Sequence, residues 1–403
     1  MDTSGLVAYC ELMWKHSSEE FPGFRIRYSP PAQNEKENRF KGYLDKFKKK
    51  QEEWKKDRKP PETARFFSAF RNFMSEIYDY SDEALSIILH PDMIQVSRSF
   101  FEEARLFDPL LKKEEIYQAL RNVWIMNGLQ MLLGKKVENT PSIMAYSLLY
   151  PYSDNILDDP ELTHQDKIAF SERFERRLSG NGTMAGNYRE TKISELVGKI
   201  ESQYPREQFP EVHGSLMAIH RAQTRSLKLT CKEMELSEEE ILFIGFDKGG
   251  CSVLADGFLV AGQLPEEVKQ FFFGFGVWLQ MADDIQDISE DIQSETRTLF
   301  TNNGDQQKRV HLTNKTFHFG RRVIEDIKHC GSDVSTPFGK VILQSIEWMM
   351  LQSAGTNNGY YPEEYTHKLE EFSPLRFQFL KKAKKKGTPG RLKLITQLMD
   401  QQV

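Results

Sequence analysis

The sequence is short of cysteine: Cys10, Cys231, Cys251 and Cys330 are scattered over 403 residues with no CxxC pair and no zinc spacing. That excludes a disulfide frame and a structural zinc site, and places the chain by expectation in a reducing compartment. Proline and glycine, 17 and 25 residues, are too few for a collagen-like or disordered polymer. Strand signals are scarce, because β-branched alternation bounded by Asn-Gly or Asp-Gly turns hardly appears. No stretch reaches ~18 uninterrupted apolar residues, and no charged-then-apolar leader opens the sequence, so the expectation is a cytoplasmic protein with at most peripheral membrane contact. Positive charge is not in excess either. Against 59 acidic side chains stand 54 basic ones, a net charge of −5, so the whole-chain field does not favour nucleic acid and any phosphate must be captured locally. No repeat of 20 to 50 residues suggests a solenoid.

Apolar mass is plentiful: 39% of the residues are hydrophobic, 28 of them Phe. Its spacing is helical. Phe66, Phe70, Phe73 and Ile77 form one stripe of period 3.6, and Ile116, Leu120, Val123, Asn127 and Met131 nearly another. Thr140-Pro141 reads as an N-cap followed by proline at the first helical position, and Pro151 then interrupts that helix, leaving residues 152–159 as either a kinked continuation or a fresh helix. Further helices are expected over about 211–229, 237–262, 265–291 and 338–354. The fold class is all-α. Residues 1–62, with Pro30-Pro31, Pro60-Pro61 and a lysine-rich stretch between them, read as an N-terminal arm, and 63–403 as one helical domain. The basic run from Lys381 to Lys386 reads as a solvated helix end.

Two acidic runs stand out. Asp154 and Asp158 lie one turn apart within DNILDD, which ends in Asp159. In DDIQDISED, Asp283, Asp287 and Asp291 recur every four residues, with Asp284 pointing about 100° off that column. The second column continues the apolar face of Val268, Phe272, Phe275 and Leu279, so a greasy wall ends in acid. It also crowds a helix C-terminus, where each anion is disfavoured by ~0.3–1 kcal/mol. Mg²⁺ answers both conditions, since it takes oxygen ligands and is typically held by one or two carboxylates plus phosphate oxygens. The D-x-D-x-D-G spacing of an EF-hand is absent. Between the runs lies Asp247-Lys248-Gly249-Gly250. Two glycines inside a helix cost about 2 kcal/mol relative to alanine, which predicts a break exposing carbonyls or a very close helix contact, with Lys248 free to reach a phosphate.

These residues resemble the class I isoprenoid synthases. DNILDD is similar to the first aspartate motif of squalene and phytoene synthases, and DIQDISED resembles their second. The spacing of Asp283, Asp287 and Asp291 is also that of the second metal motif of terpene cyclases. His220, Arg221 and Gln223, followed by Lys248-Gly249-Gly250, look like the bacterial large-terpene synthases of the tetraprenyl-β-curcumene type. The likeness spans roughly residues 115 to 300. It implies a single helical bundle around a deep apolar cavity and an enzyme, monomeric or homodimeric, that ionises a prenyl diphosphate to a cyclic or linear terpene. It further implies Mg²⁺, three ions with Mn²⁺ as a substitute, on Asp154, Asp158, Asp159, Asp283, Asp284, Asp287 and Asp291. Lys248, Arg221, Arg225, His220, Gln223, Gly249 and Gly250 would contact substrate, and Asp154, Asp158, Asp287 and Lys248 would carry the chemistry. Phe272, Phe275 and Trp278 are candidate pocket walls, and Arg297, Arg321, Tyr360, Tyr361 and Arg376 candidate diphosphate sensors.

Three other functions compete. A head-to-head prenyltransferase would join two prenyl diphosphates instead of converting one. A carboxylate-bridged di-iron bundle would use Glu-x-x-His pairs, for which Glu161 with His164 and Glu364 with His367 match the string. A non-catalytic helical scaffold is the remaining alternative.

Overall fold

A computed structural model describes residues 1–57, 63–157, 159, 161–182, 186–231, 233–302, 304–332 and 336–385. Among them no strand forms, and the protein is all-α. The helices run α1 (Ser4–Lys15), α2 (Pro30–Asp57), α3 (Thr63–Tyr78), α4 (Asp82–Ile88), α5 (Pro91–Phe107), α6 (Lys113–Leu132), α7 (Pro141–Leu157), α8 (His164–Leu178) and α9 (Tyr188–Gln203). The second half continues as α10 (Pro210–Ser226), α11 (Glu238–Ala261), α12 (Glu266–Gln286), α13 (Ile288–Gln293), α14 (Gln306–Glu325), α15 (Pro337–Thr356), α16 (Glu363–Glu370) and α17 (Phe377–Lys385).

Local chemistry sets the ends of the helices that matter here. Thr140 caps α7 as expected, its Oγ1 accepting the Ile143 N–H at 3.3 Å, and the helix continues through Pro151 to Leu157. Ser237 and Glu240 form a capping box that starts α11, and Gly262, at φ 79°, ends it. The expected helix over 265–291 is divided. α12 stops at Gln286, Asp287 stands at the junction with φ −96° and ψ 10°, and α13 resumes at Ile288.

α11 and α12 are the central pair. α10 flanks α11, α6 and α7 pack on one side, and α14 and α15 pack on α12. Gly249-Gly250 does not break α11, so no carbonyls are freed there, and the very close helix contact is what forms. A Cβ on Gly276 would lie 2.1 Å from the Gly249 carbonyl oxygen, and one on Gly249 would lie 2.5 Å from the Gln280 Cβ. Glycines also seat the large aromatics. Phe273 fills the notch at Gly250, Phe272 the notch at Gly257, and Trp278 the notch at Gly320 of α14. Phe272 and Trp278 are fully buried, and Phe275 stacks on Phe271 at 5.9 Å. These three side chains are therefore core and not the pocket walls expected of them; each contributes about 1.5–3 kcal/mol of burial.

The stretch expected as an arm enters this core. α1 lies against α11, α12 and α14 and buries Leu6, Val7, Cys10, Met13 and Trp14. α2 is tied to the other end of the chain, with Gln33 donating to the carbonyls of Glu370 and Ser373 and Glu37 accepting Arg376 Nε at 2.7 Å. A second, smaller apolar cluster gathers Phe40, Phe70, Met74, Ile77, Tyr78, Tyr80, Leu85 and Leu375. No described helix is long and apolar enough to cross a membrane.

Candidate active site

The tight α11–α12 crossing places the second acidic run. Gln280, whose Cβ rests against Gly249, donates from Nε2 to Asp284 Oδ1 at 2.8 Å. One turn later come Asp287 and then Asp291. The column survives the junction between α12 and α13, because the Asp287 N–H donates to the Asp283 carbonyl at 2.9 Å and the Asp291 N–H to the Asp287 carbonyl at 2.8 Å. Both bonds span four residues, so Asp283, Asp287 and Asp291 remain stacked at one-turn spacing.

These carboxylates repel one another inside a recess. Asp284 and Asp291 are pushed up to about 7, first by desolvation, with the neighbouring aspartates adding to it. Asp283 is raised for the same reasons, although its side chain is open to solvent. A group both accessible to water and desolvated lines a concavity, not a convex surface. The cations that offset this charge are Lys248, which acts on Asp283, Asp284 and Asp291, and Arg121 of α6, which acts on Asp283. Neither makes an ion pair or hydrogen bond among the described residues. The periodicity of α6 gave Arg121 no prominence: it is one more exposed charge until α6 is placed beside the recess.

The raised values have a testable consequence. An unfolded aspartate ionises near ~3.9, so between pH 6.5 and 8 the folded chain gives up protons that the unfolded chain has already lost. Without divalent metal, the melting temperature is expected to fall across that window. His213 and His220 carry the opposite sign, since burial lowers their pKa, and because unfolded histidine titrates near ~6.5 they offset part of the fall in the lower half of the window; that offset is common to both proteins compared, so the difference in slope reports the aspartates. Scanning calorimetry of the chain and of a D284N/D291N variant checks this; equal slopes in the two proteins would refute it.

The other expected site residues are placed as follows. Asp154 is in the last turn of α7, its side chain outside the described part, and Asp158 lies outside the described residues. Asp159 follows the helix, its Oδ1 accepting the Glu161 N–H at 2.9 Å in a local turn. His220 is buried between α8 and α10, with Nε2 3.0 Å from the Ser171 carbonyl oxygen and its ring 4.9 Å from that of Phe174. It is a neutral core histidine, not a substrate contact. Arg221 pairs with Glu175 at 2.8 Å, and Arg225 pairs with Asp247 and stacks over Phe243, so both are engaged elsewhere. Gln223 is half-buried on α10. Gly249 and Gly250 are filled against α12 and have no face left for a ligand.

The sensor candidates are also committed. Arg297 donates to the carbonyls of Lys228, Leu229, Cys231 and Met234, pinning the loop that follows α10. Arg321 pairs with Glu347, Arg376 with Glu37, and Tyr361 with Thr313. Tyr360 alone reaches the acidic segment, its hydroxyl 3.4 Å from Ser289 Oγ.

No protein-family model matches the chain, and no curated protein matches it in sequence. Among solved structures it is similar to a geranylgeranyl pyrophosphate synthetase from the archaeon Geoglobus acetivorans, at 13% identity and a TM-score of 0.36, over 71% of this chain and 96% of that one. That likeness is too low to assign a function.

The donor set itself can be tested against a metal. Among the described residues no three His, Cys, Asp or Glu side chains converge tightly enough to cage an ion. Mg²⁺ does not require such a cage, because one or two carboxylates and several water or phosphate oxygens complete its shell. Hard oxygen donors with unbalanced negative charge, in a wet recess, fit it. The di-iron alternative does not fit: Glu161, His164, Glu364 and His367 are all exposed, whereas a di-iron centre needs them inside the bundle.

Proposed function

We propose that the protein is a Mg²⁺-dependent enzyme that ionises a prenyl diphosphate and converts the resulting cation to a terpene. The observation that supports this best is the recess that gathers Asp283, Asp284, Asp287, Glu290 and Asp291 within electrostatic reach of Lys248 and Arg121 from two other helices, neither of which is paired among the described residues. Acid in such excess, with two cations beside it that no described residue pairs, suits a ligand that is itself an anion carrying metal. The resemblance of both acidic runs to the class I isoprenoid synthase motifs supports the same reading.

In this reading Asp283, Asp287 and Asp291 would hold Mg²⁺ on one side, and Asp154 and Asp158 of the first acidic run on the other. The metal supplies Lewis-acid assistance to diphosphate departure. Lys248 and Arg121 bind diphosphate oxygens directly, orient the leaving group and neutralise charge as it develops. No protein base is needed for the ionisation.

The test is incubation of the full chain with Mg²⁺ and single prenyl diphosphates of increasing length, followed by organic extraction and mass spectrometry. A hydrocarbon or alcohol of unchanged carbon count is expected. A doubled count would replace this reading with head-to-head condensation, and absence of both product and released diphosphate over the whole series would refute it.

A further inference from the structure

Beside the recess, α6, α7 and α11 share a polar contact that the proposed chemistry leaves unused. Asp256 lies two turns beyond Lys248 on α11, about 12 Å along the axis, and is 1% exposed. Its Oδ1 accepts Asn122 Nδ2–H at 3.2 Å, and the same amide stands 3.3 Å from Ser147 Oγ of α7. Asp256 Oδ2 is buried and has no hydrogen-bond partner among the described residues. Burial raises the Asp256 pKa well above its ordinary value, which favours the uncharged form.

The sequence neighbour of Asn122 is Arg121. On α6 the buried residues around Asn122 are apolar, Ala119, Leu120, Val123 and Met126, while the buried Asn127 and Gln130 farther along bond to each other and to Glu138 instead of to α11; apolar contact is non-directional. Such surfaces tolerate small rotations and slips of one helix on another. A buried hydrogen bond does not, because any other register leaves both partners desolvated and unsatisfied. One polar pair in an apolar helix interface is the arrangement by which coiled coils select their register.

We infer that the Asp256–Asn122 hydrogen bond is a register pin between α6 and α11, holding Arg121 toward Asp283 while Lys248 approaches from α11, and so setting the affinity of the recess for diphosphate. The second half of this inference rests on the reading of the recess as a diphosphate site. Asp256 and Asn122 are positioning residues: they touch no ligand and act through the direction of Arg121. A carboxyl oxygen that accepts one amide hydrogen bond is replaceable by the carbonyl oxygen of an amide of the same shape but not by an alkyl group.

The experiment uses the full chain, with inorganic diphosphate and Mg²⁺ as the probe. Titration calorimetry well below the melting temperature is expected to show D256L and N122L binding at least about tenfold more weakly than the parent, since displacements near 1 Å are costly at such sites. D256N is expected within about twofold of the parent, and the N122D/D256N swap, which reverses donor and acceptor, within about threefold. Crystal structures of D256L and D256N provide the ligand-free measurement, with the Arg121 guanidinium displaced in the first and in place in the second. If D256L does not fold, N122L carries the same comparison. Loss of affinity in D256N equal to that in D256L, or Arg121 unmoved in both D256L and N122L, overturns the pin. Failure of the parent protein to bind diphosphate overturns the diphosphate reading instead, and the position of Arg121 then decides the pin by itself.

Discussion

Replacing Asp287 by alanine is expected to lower the rate of diphosphate release by on the order of 10²–10³-fold, the loss typical when one preorganised electrostatic contact to a developing charge is removed. Asp287 stands where α12 ends and α13 begins, between Asp283 and Asp291 in the column, and each of those neighbours is raised in part by its charge. It is the centre of the repulsion and therefore of whatever cation relieves it. The same substitution relieves strain in the metal-free chain, so the melting temperature without Mg²⁺ should stay level or rise while activity collapses. Asp305, which caps α14 by accepting the Gln307 N–H, is the contrasting aspartate; D305A should cost about 1 kcal/mol of stability and leave turnover nearly unchanged. Diphosphate release followed alongside thermal melting separates the two behaviours. Turnover of D287A within a few-fold of the parent would remove Asp287 from the chemistry.

The second large effect is expected at Gly276. A methyl group there would meet the Gly249 carbonyl oxygen at 2.1 Å and the Gly250 Cα at 3.2 Å, backbone against backbone, with no side chain able to move aside. G276A must therefore separate α11 from α12. Overpacking of this kind costs about 1–3 kcal/mol, and with two central helices involved the upper end is expected. Gly245 supplies the control on α11, since a Cβ there meets nothing within 4 Å, and G245A should be neutral or stabilising by about 0.4–1 kcal/mol. Moving the helices apart also withdraws Lys248 of α11 from the carboxylates, so G276A should lose affinity for diphosphate with Mg²⁺ at temperatures where it is still folded. Denaturant melts of both variants, with diphosphate titration of the folded G276A protein, test the argument. A parent-like midpoint for G276A would mean that the crossing is looser than described.

Much of this protein was legible along the chain because the signals are local. The caps at Thr140 and Ser237, the glycine that ends α11 and the four-residue recurrence of Asp283, Asp287 and Asp291 each involve residues within a turn or two of one another. Helix breaking was harder to read. Pro151 does not end α7, and Gly249-Gly250 does not interrupt α11, because tertiary contacts compensate for the cost that isolated helices would bear. His220 and Arg225 show the reverse problem. Their residue types suit a phosphate site, yet His220 is enclosed by Ser171 and Phe174, and Arg225 is taken by Asp247. Nothing in the neighbouring sequence announces those partners.

Periodicity, capping and charge spacing were enough to establish an all-helical chain with an acidic column at the end of an apolar helix face, since those properties depend on a few consecutive residues. Which faces meet was a matter for packing alone. Arg121 joins the recess, α1 enters the core, and Asn122 finds Asp256 across 134 residues of chain, through contacts between elements whose mutual orientation leaves no trace in the spacing of either one.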